Sequence, residues 1–256
     1  MVQTLRKPEI INIARRDGMV TVEGLVEHFG VTPQTIRRDL SELADAGQLD
    51  RVHGGAILPS TTVNIGYSER RNLNHASKVD IARACAAEIP NDCSVFLNIG
   101  TTTEAVASEL LQHEGLLVVT NNINISVILS ANPNIDVVVT GGNLRRLDGG
   151  LIGDLAKETI NRFRFDIAVI GCSALHEDGD ILDFDFQEVG VSQAIIERSD
   201  KVFLVADASK FDRKAPAKIA SLADIDTFFS DMPPPAQCLQ MCRDADTHVH
   251  VVAAAS

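Results

Sequence analysis

The chain has 256 residues, 45% of them hydrophobic, and a formal net charge of −12. That length suggests two domains, and the apolar content is ample for their cores. Aromatic residues make up 4% and tryptophan is absent, which argues against a single-strand binder built on base stacking. No apolar run approaches a membrane span and no signal peptide opens the chain, so a cytoplasmic protein without a membrane partner is expected. Five scattered cysteines, an odd number, fit reduced thiols.

The first elements are helical. Residues 4–17 place Ile10, Ile11, Ile13 and Ala14 in a helix. Thr21 then caps "VEGLVEHF", with Val22, Leu25, Val26 and Phe29 apolar, and Gly30 ends it. A third helix opens with Thr32 as N-cap and Pro33 at the first helical position. Val31 and Ile36 have the spacing of a hydrophobic staple, and Gly47 is expected to close the helix. Ile36, Leu40 and Leu43 share one face. The opposite stripe is Gln34, Arg38, Ser41 and Asp45, flanked by Thr35 and Arg37. Two helices joined around a glycine make a helix-turn-helix, whose second helix enters the major groove of DNA. Arginine there grips guanine, glutamine grips adenine, and the hydroxyls of Thr32, Thr35 and Ser41 reach phosphate. "QLDRVHGGAIL" reads as two short strands around a His-Gly-Gly turn, a wing that puts Arg51 and His53 near the DNA backbone.

Residues 1–58 hold seven Lys/Arg against eight Asp/Glu, a net of −1, while residues 59–256 hold sixteen against twenty-seven, a net of −11. The acidity belongs to the rest of the chain. Non-specific DNA binding should be weak, and specific contacts with a homo-oligomer reading an inverted repeat are expected to supply affinity.

Residues 59–77 lack a sustained period and read as a linker. A helix is expected over about 78–89. Beyond it, "CSVFLNI", "LLVVT", "IDVVVTG", "DIAVIG", "KVFLVAD" and "DTFFS" are apolar runs bounded by turn residues, with helical patterns at 103–113, 123–131, 154–162 and 188–199. This alternation predicts an α/β domain over residues 78–256, a parallel sheet covered by helices on both faces, with ligands at the carboxyl ends of the strands. The strand ends are polar. Gly100-Thr101-Thr102-Thr103 runs into a helix and forms a phosphate cradle. Thr120-Asn121-Asn122, Gly141-Gly142-Asn143 with Arg145 and Arg146, the acids Asp183, Asp185 and Glu188, and Asp207-Ala208-Ser209-Lys210 end or follow others. Together they describe a pocket for a small phosphorylated polyol or sugar. Cys238, Cys242, His248 and His250 have donor types that suit zinc, but structural sites space their first cysteines more tightly. A helix followed by an edge strand is the reading preferred, with no metal or cofactor.

The motifs "QTIRRDLSELADAG", "RVHGGA", "IGTTTEAVASEL", "VVTNNIN", "VTGGNLRR" and "ADASKF" resemble the DeoR family of bacterial transcriptional regulators over nearly the whole chain. The resemblance implies a winged helix-turn-helix followed by a sensor domain related in fold to ribose-5-phosphate isomerase. It implies a repressor rather than an enzyme, released by a phosphorylated metabolite. Within the family, "RRLDGGLIGD", "FDFQEVGVSQAIIERS" and "DMPPP" imply glycerol-3-phosphate as inducer and glycerol-use genes as targets. Carried over residue by residue, the sensor positions are Gly100, Thr101, Thr102, Thr103, Thr120, Asn121, Gly141, Gly142, Asp183 and Lys210. The chain departs from the pattern at Gly190-Val191-Ser192-Gln193, where relatives are often basic. A sugar-phosphate isomerase using Asp183, Asp185 or Glu188 as base is the alternative, against which the N-terminal helices argue.

Overall fold

A computed structural model describes residues 3–17, 19–46, 48–52, 54–57 and 66–252. The chain divides into two compact units, Met1–Ser60 with Ser68–Leu73, and Thr61–Tyr67 with Asn74–Ser256.

The first unit begins α1 (Gln3–Asp17), β1 (Met19–Thr21), α2 (Val22–Phe29), α3 (Pro33–Asp45), β2 (Asp50–Val52), β3 (Gly55–Ile57). Local chemistry sets the helix ends. Thr21 Oγ1 accepts the Gly24 N–H at 3.1 Å, and Gly30 closes α2 at φ 64°. Thr32 Oγ1 accepts the Thr35 N–H at 3.3 Å, with Pro33 next to the cap. Ala46 caps the end of α3, and Gly47 lies outside the described residues. The strands make an antiparallel sheet in the order β1-β3-β2. β1 is too short for its alternation to register in the sequence. Gly55 is required where the strands meet, because a Cβ there would stand 2.0 Å from the Val20 carbonyl oxygen.

Ile10, Ala14, Val22, Leu25, Ile36, Leu40, Leu43 and Ala56 form the core of this unit. One charge joins them. Asp39, 1% exposed, lies on the buried face of α3 and pairs with the buried Arg6 of α1. The hydrogen bond to Asp39 holds the Arg6 proton above the ordinary guanidinium value, against the effect of desolvation.

Two helices fall where a linker is expected. α4 (Tyr67–Asn72) is polar throughout, and α5 (His75–Ala87) starts before residue 78. The exposed surface of α4 carries no apolar period, so only its charge order, Glu69 in the first turn and Arg70 and Arg71 in the last, matches a helix dipole.

The second unit continues with β4 (Ser94–Leu97), α6 (Thr101–Glu109), β5 (Leu116–Thr120), α7 (Ile123–Leu129), β6 (Ile135–Val139), β7 (Asn143–Arg145), β8 (Gly150–Ile152), α8 (Asp154–Ile160) and β9 (Phe165–Ile170). After these come β10 (Ala174–Leu175), β11 (Asp180–Asp183), α9 (Phe186–Glu197), β12 (Ser199–Val205), β13 (Ala217–Ser221), β14 (Thr227–Ser230), α10 (Ala236–Asp244) and β15 (His248–Val251). Seven strands form a parallel sheet in the order β15-β14-β12-β9-β4-β5-β6. Along β4 the side chains alternate between two cores. Val95 and Leu97 pack with Ile81, Cys85, Val106 and Ile125 of α5, α6 and α7. Phe96 packs with Ala156, Ile160, Val189 and Ile195 of α8 and α9. The expected α/β sensor fold is present. Two small antiparallel sheets, β7-β8 and β10-β11-β13, are additions that the sequence pattern does not disclose. Cys238 and Cys242 are buried on α10, the Cys238 thiol donating to the Glu177 carbonyl at 3.1 Å, while His248 and His250 lie on the edge strand β15.

Asp39→Ala leaves Arg6 in the core of the first unit without its carboxylate. It is expected to destabilise that unit by on the order of 3 kcal/mol. Hydrogen exchange at α1 and α3 amides in the full chain reads the loss directly. Unchanged protection would mean that Arg6 turns to water at no cost.

Candidate functional site

Within the first unit, α3 presents Gln34, Arg37, Arg38 and Ser41 exposed, with Thr35 half-buried. Thr32 and Thr35 share a hydroxyl–hydroxyl contact of 2.9 Å. Ser41 Oγ donates to the Arg37 carbonyl at 2.9 Å, a contact that turns the hydroxyl back onto its own helix. Arg38 Nε donates to Glu42 at 2.9 Å, with the arginine side chain 74% exposed. Glu42 also takes Lys7, and these two cations, Lys7 first, hold its carboxyl below the ordinary range. Arg51, on β2, donates to the Arg37 carbonyl at 3.4 Å. Burial, and then the Arg37 charge, lower its proton affinity. Two like charges held together in this way are relieved by an anion between them. His53 lies outside the described residues.

In the second unit the strand order creates a crevice. The chain leaves β4 towards β5 and β6, and leaves β9 towards β12, β14 and β15. Connections that depart in opposite directions open a space at the carboxyl ends of β4 and β9, where such sheets bind ligands. Asn98, the buried residue after β4, donates to Ser192 Oγ on α9 at 2.9 Å and accepts the Ile99 N–H at 2.7 Å. Ser192 thus holds the strand end from α9. Gln193 of the same stretch turns to the Ile219 carbonyl, 3.2 Å away. Gly100 caps α6, and the first bond inside that helix runs from the Glu104 N–H to the Gly100 carbonyl at 2.9 Å. A helix start leaves N–H groups without intrahelical partners, and Thr102 and Thr103 carry two of them here.

The hydroxyls at this rim divide into two kinds. Thr103 shares its hydroxyl between the carbonyls of Asn98 and Gly100, at 2.6 and 2.8 Å. Thr120 donates to the Leu97 carbonyl at 2.7 Å and accepts the Asn122 N–H at 3.1 Å. Thr120 thereby ties β5 to β4, and Thr103 closes the loop that leads from β4 into α6. Asn121 is different: its amide donates to the Leu151 carbonyl at 3.2 Å, while its buried Oδ1 has no partner. The hydroxyl of Thr140, after β6, is buried without a partner too. Thr140 escapes sequence reasoning because it ends an apolar run; its one signal is the glycine pair that follows. Gly142, at φ 131°, has no room for a side chain, since a Cβ would meet the Ile152 carbonyl oxygen at 2.7 Å.

Asp183, at the end of β11, accepts from Ser173 Oγ at 2.8 Å and from the N–H groups of Phe184 and Asp185 at 2.6 and 3.2 Å. Lys210 sits buried in the short turn after β12, beside Asp207. Burial alone would raise the Asp207 carboxyl. Lys210, Ser209, Asn74 and Lys78 outweigh that effect and hold it below the ordinary range. Lys78, buried on α5, is a cation that the sequence does not single out.

Arg145 is the hub between β7 and α9. It grips both oxygens of Asp148, at 2.9 and 2.8 Å, and reaches Asp185 at 2.8 Å and Glu188 at 2.6 Å. Although burial opposes its charge, Asp148 and Glu188 hold its proton above the ordinary guanidinium value. Three acids, Asp148, Asp185 and Glu188, converge on this one arginine. Burial, with Asp183 nearby, pushes the Glu188 carboxyl up to about 8.

A profile of the DeoR-like helix-turn-helix domain matches residues 6–62, and one of the DeoR C terminal sensor domain matches residues 73–232. The chain belongs to the DeoR family. It is 44% identical over 244 residues to the glycerol-3-phosphate regulon repressor of Escherichia coli K12, covering 95% of this chain and 97% of the relative. The glycerol-3-phosphate regulon repressor of Haemophilus influenzae is 45% identical over 234 residues, covering 91% of each chain. Among solved structures, ribose 5-phosphate isomerase A of Methanocaldococcus jannaschii aligns over 54% of this chain and 55% of its own, with TM-score 0.41 and 12% identity. Among the described residues no helix is long and apolar enough to cross a membrane.

A carboxyl held above its unfolded value stabilises the fold while protonated. For Glu188 that contribution is present below the ordinary carboxylate range and is lost as pH rises through about 8. The stability of the second unit is therefore expected to fall between about pH 5 and 8, by roughly 1.4 kcal/mol per pH unit at most, and to level off above that. Glu188→Gln should flatten that slope. Thermal unfolding across this range measures both, and parallel profiles would assign the slope to another group.

Proposed function

We propose that this protein is a transcriptional repressor of glycerol-use genes that leaves its operator when glycerol-3-phosphate enters the crevice of the second unit. The observation that carries the reading is the crevice itself. A helix N-terminus suited to a dianionic phosphate lies on the same rim as two buried polar atoms without partners, Asn121 Oδ1 and Thr140 Oγ1. Lys210 adds a cation at a neighbouring strand end. An unpartnered buried polar group costs roughly 1–3 kcal/mol, and a ligand hydroxyl offers relief. Glycerol-3-phosphate has a phosphate and two vicinal hydroxyls. The family, and relatives named for this metabolite's regulon, support the same choice.

On the DNA side, Arg38 is the base-reading residue and Arg37 with Arg51 the phosphate clamp, with Gln34, Thr35 and Thr32 beside them and Ser41 contributing less because its hydroxyl is engaged. A near-neutral winged helix has little surface, so the protein acts as a homo-oligomer on a repeated half-site. The isomerase alternative is weakened at Asp183, which three donors already hold, and by the helix-turn-helix unit, for which an isomerase has no need.

Arg38→Ala is expected to cost on the order of 1–3 kcal/mol at the operator and to relax specificity there, while Arg37→Ala should weaken all sequences alike. Gel shifts on operator and random DNA separate the two. Equal losses on both DNAs for Arg38→Ala would refute its assignment.

The ligand is tested by calorimetry. Each hydrogen bond to a charged group contributes roughly 1.5–3 kcal/mol, so glycerol-3-phosphate should bind orders of magnitude more tightly than glycerol. Thr140→Val is the sharper probe. It removes a hydroxyl that has no partner, so the free protein should gain up to about 1 kcal/mol of stability while affinity for glycerol-3-phosphate falls. Unchanged affinity would place the ligand's hydroxyls elsewhere.

A further inference from the structure

Glu42 stands where helix chemistry gives no reason for an acid. It lies in the last turn of α3, which ends at Asp45 and holds no basic residue. A helix C-terminus carries partial negative charge and disfavours a carboxylate. Its pair with Arg38, four residues back, has the cation on the N-terminal side, the weaker of the two orders. An exposed pair of this kind adds little to stability in any case. Nor is Glu42 needed to join α1 to α3. Lys7 of α1 does reach it, but the buried Arg6–Asp39 pair already joins the same two helices.

What Glu42 does hold is the exposed arginine. Its Oε1 accepts the Arg38 Nε–H at 2.9 Å, and its Oε2 takes the Lys7 ammonium. The carboxylate is therefore gripped from two sides, and both cations favour its charged form. Helical side chains lean towards the N-terminus, so Glu42 leans back to meet Arg38.

A guanidinium carries five N–H donors in one plane. The bond to Glu42 uses the one on Nε and leaves the four on the two Nη nitrogens. A pair of these makes the fork that grips O6 and N7 of guanine. With Nε engaged, a side-on grip through Nε is closed, and the end-on grip is the one left. An arginine already held also loses less rotamer freedom when it binds. Docking on DNA removes water from the pair, which strengthens the bond at that moment.

We propose that Glu42 is a positioning residue for DNA reading, which aims Arg38 end-on at a guanine and is itself held by Lys7. The inference rests on the reading of Arg38 as the base-contacting residue and adds the group that orients it.

The test is selection of sites from a random-sequence DNA pool by the full chain, as wild type, Arg38→Ala, Glu42→Ala and Glu42→Gln. Arg38→Ala is expected to erase a guanine preference at one position of the selected site. Glu42→Ala should lower that same preference about 3- to 10-fold and leave the other positions unchanged. Glu42→Gln keeps an oxygen for the Nε–H and should fall between. Affinity of Glu42→Ala for random DNA should rise, since a negative charge has left the phosphates' neighbourhood, whereas a purely structural role would lower it. Circular dichroism checks that the variants fold, and Glu42→Gln carries the test if Glu42→Ala does not. Wild-type preferences in the Glu42 variants, or losses spread evenly over all positions, would overturn the positioning role and leave Arg38 as the reader. A loss confined to a different base pair would make Glu42 a reader itself and overturn the role too. An Arg38→Ala chain that keeps every base preference would overturn both.

Discussion

The reversal of strand order between β4 and β9 is the constraint on which the second unit depends. A parallel sheet must be covered on both faces, so α5, α6 and α7 take one side and α8 and α9 the other. At the carboxyl ends of β4 and β5, β8 lies over the chain: the Leu151 N–H donates to the Asn121 carbonyl at 2.7 Å, and Gly150 sits against Ile99. α6 starts at the carboxyl end of β4, and its first N–H groups lack intrahelical partners.

Side chains then decide how rigid the crevice is. Asn98, Thr103 and Thr120 spend their polar atoms on backbone groups and on Ser192, which binds β4, α6, β5 and α9 into one frame. Glu104 extends it, accepting from Tyr67 at 2.8 Å, Asn122 at 3.1 Å and Asn124 at 2.9 Å. Against this satisfied background, the open atoms of Asn121 and Thr140 stand out as groups waiting for a partner. Arg145 closes the other side of the frame by tying the hairpin to α9 through carboxylates that burial forces to compete for one cation.

The first unit solves a different problem, the presentation of cations by an acidic chain. Arg38 is held by Glu42 in an exposed pair, which water screens. Arg37 and Arg51 stand close with like charge. The buried Arg6–Asp39 pair joins α1 to α3 and gives α3 a fixed seat.

Short-range chemistry was legible without a fold. Thr21, Gly30, Thr32 and Pro33 act within one turn of themselves, so the boundaries of α2 and the start of α3 follow from residue types alone. Strand runs such as "CSVFLNI" and the helices between them show their period locally, and they determine an α/β unit. Groups whose role depends on distant partners were not legible. Asp39 looks like one more surface acid until Arg6, 33 residues away, meets it in the core. Thr103 and Thr120 look like ligand hydroxyls until the carbonyls of Asn98 and Leu97 claim them. Arg145 becomes a hub only when Asp185, 40 residues on, arrives beside it. Sequence determines which atoms can donate, accept or carry charge. Tertiary structure decides which of them are already engaged, because that depends on contacts between residues far apart in the chain.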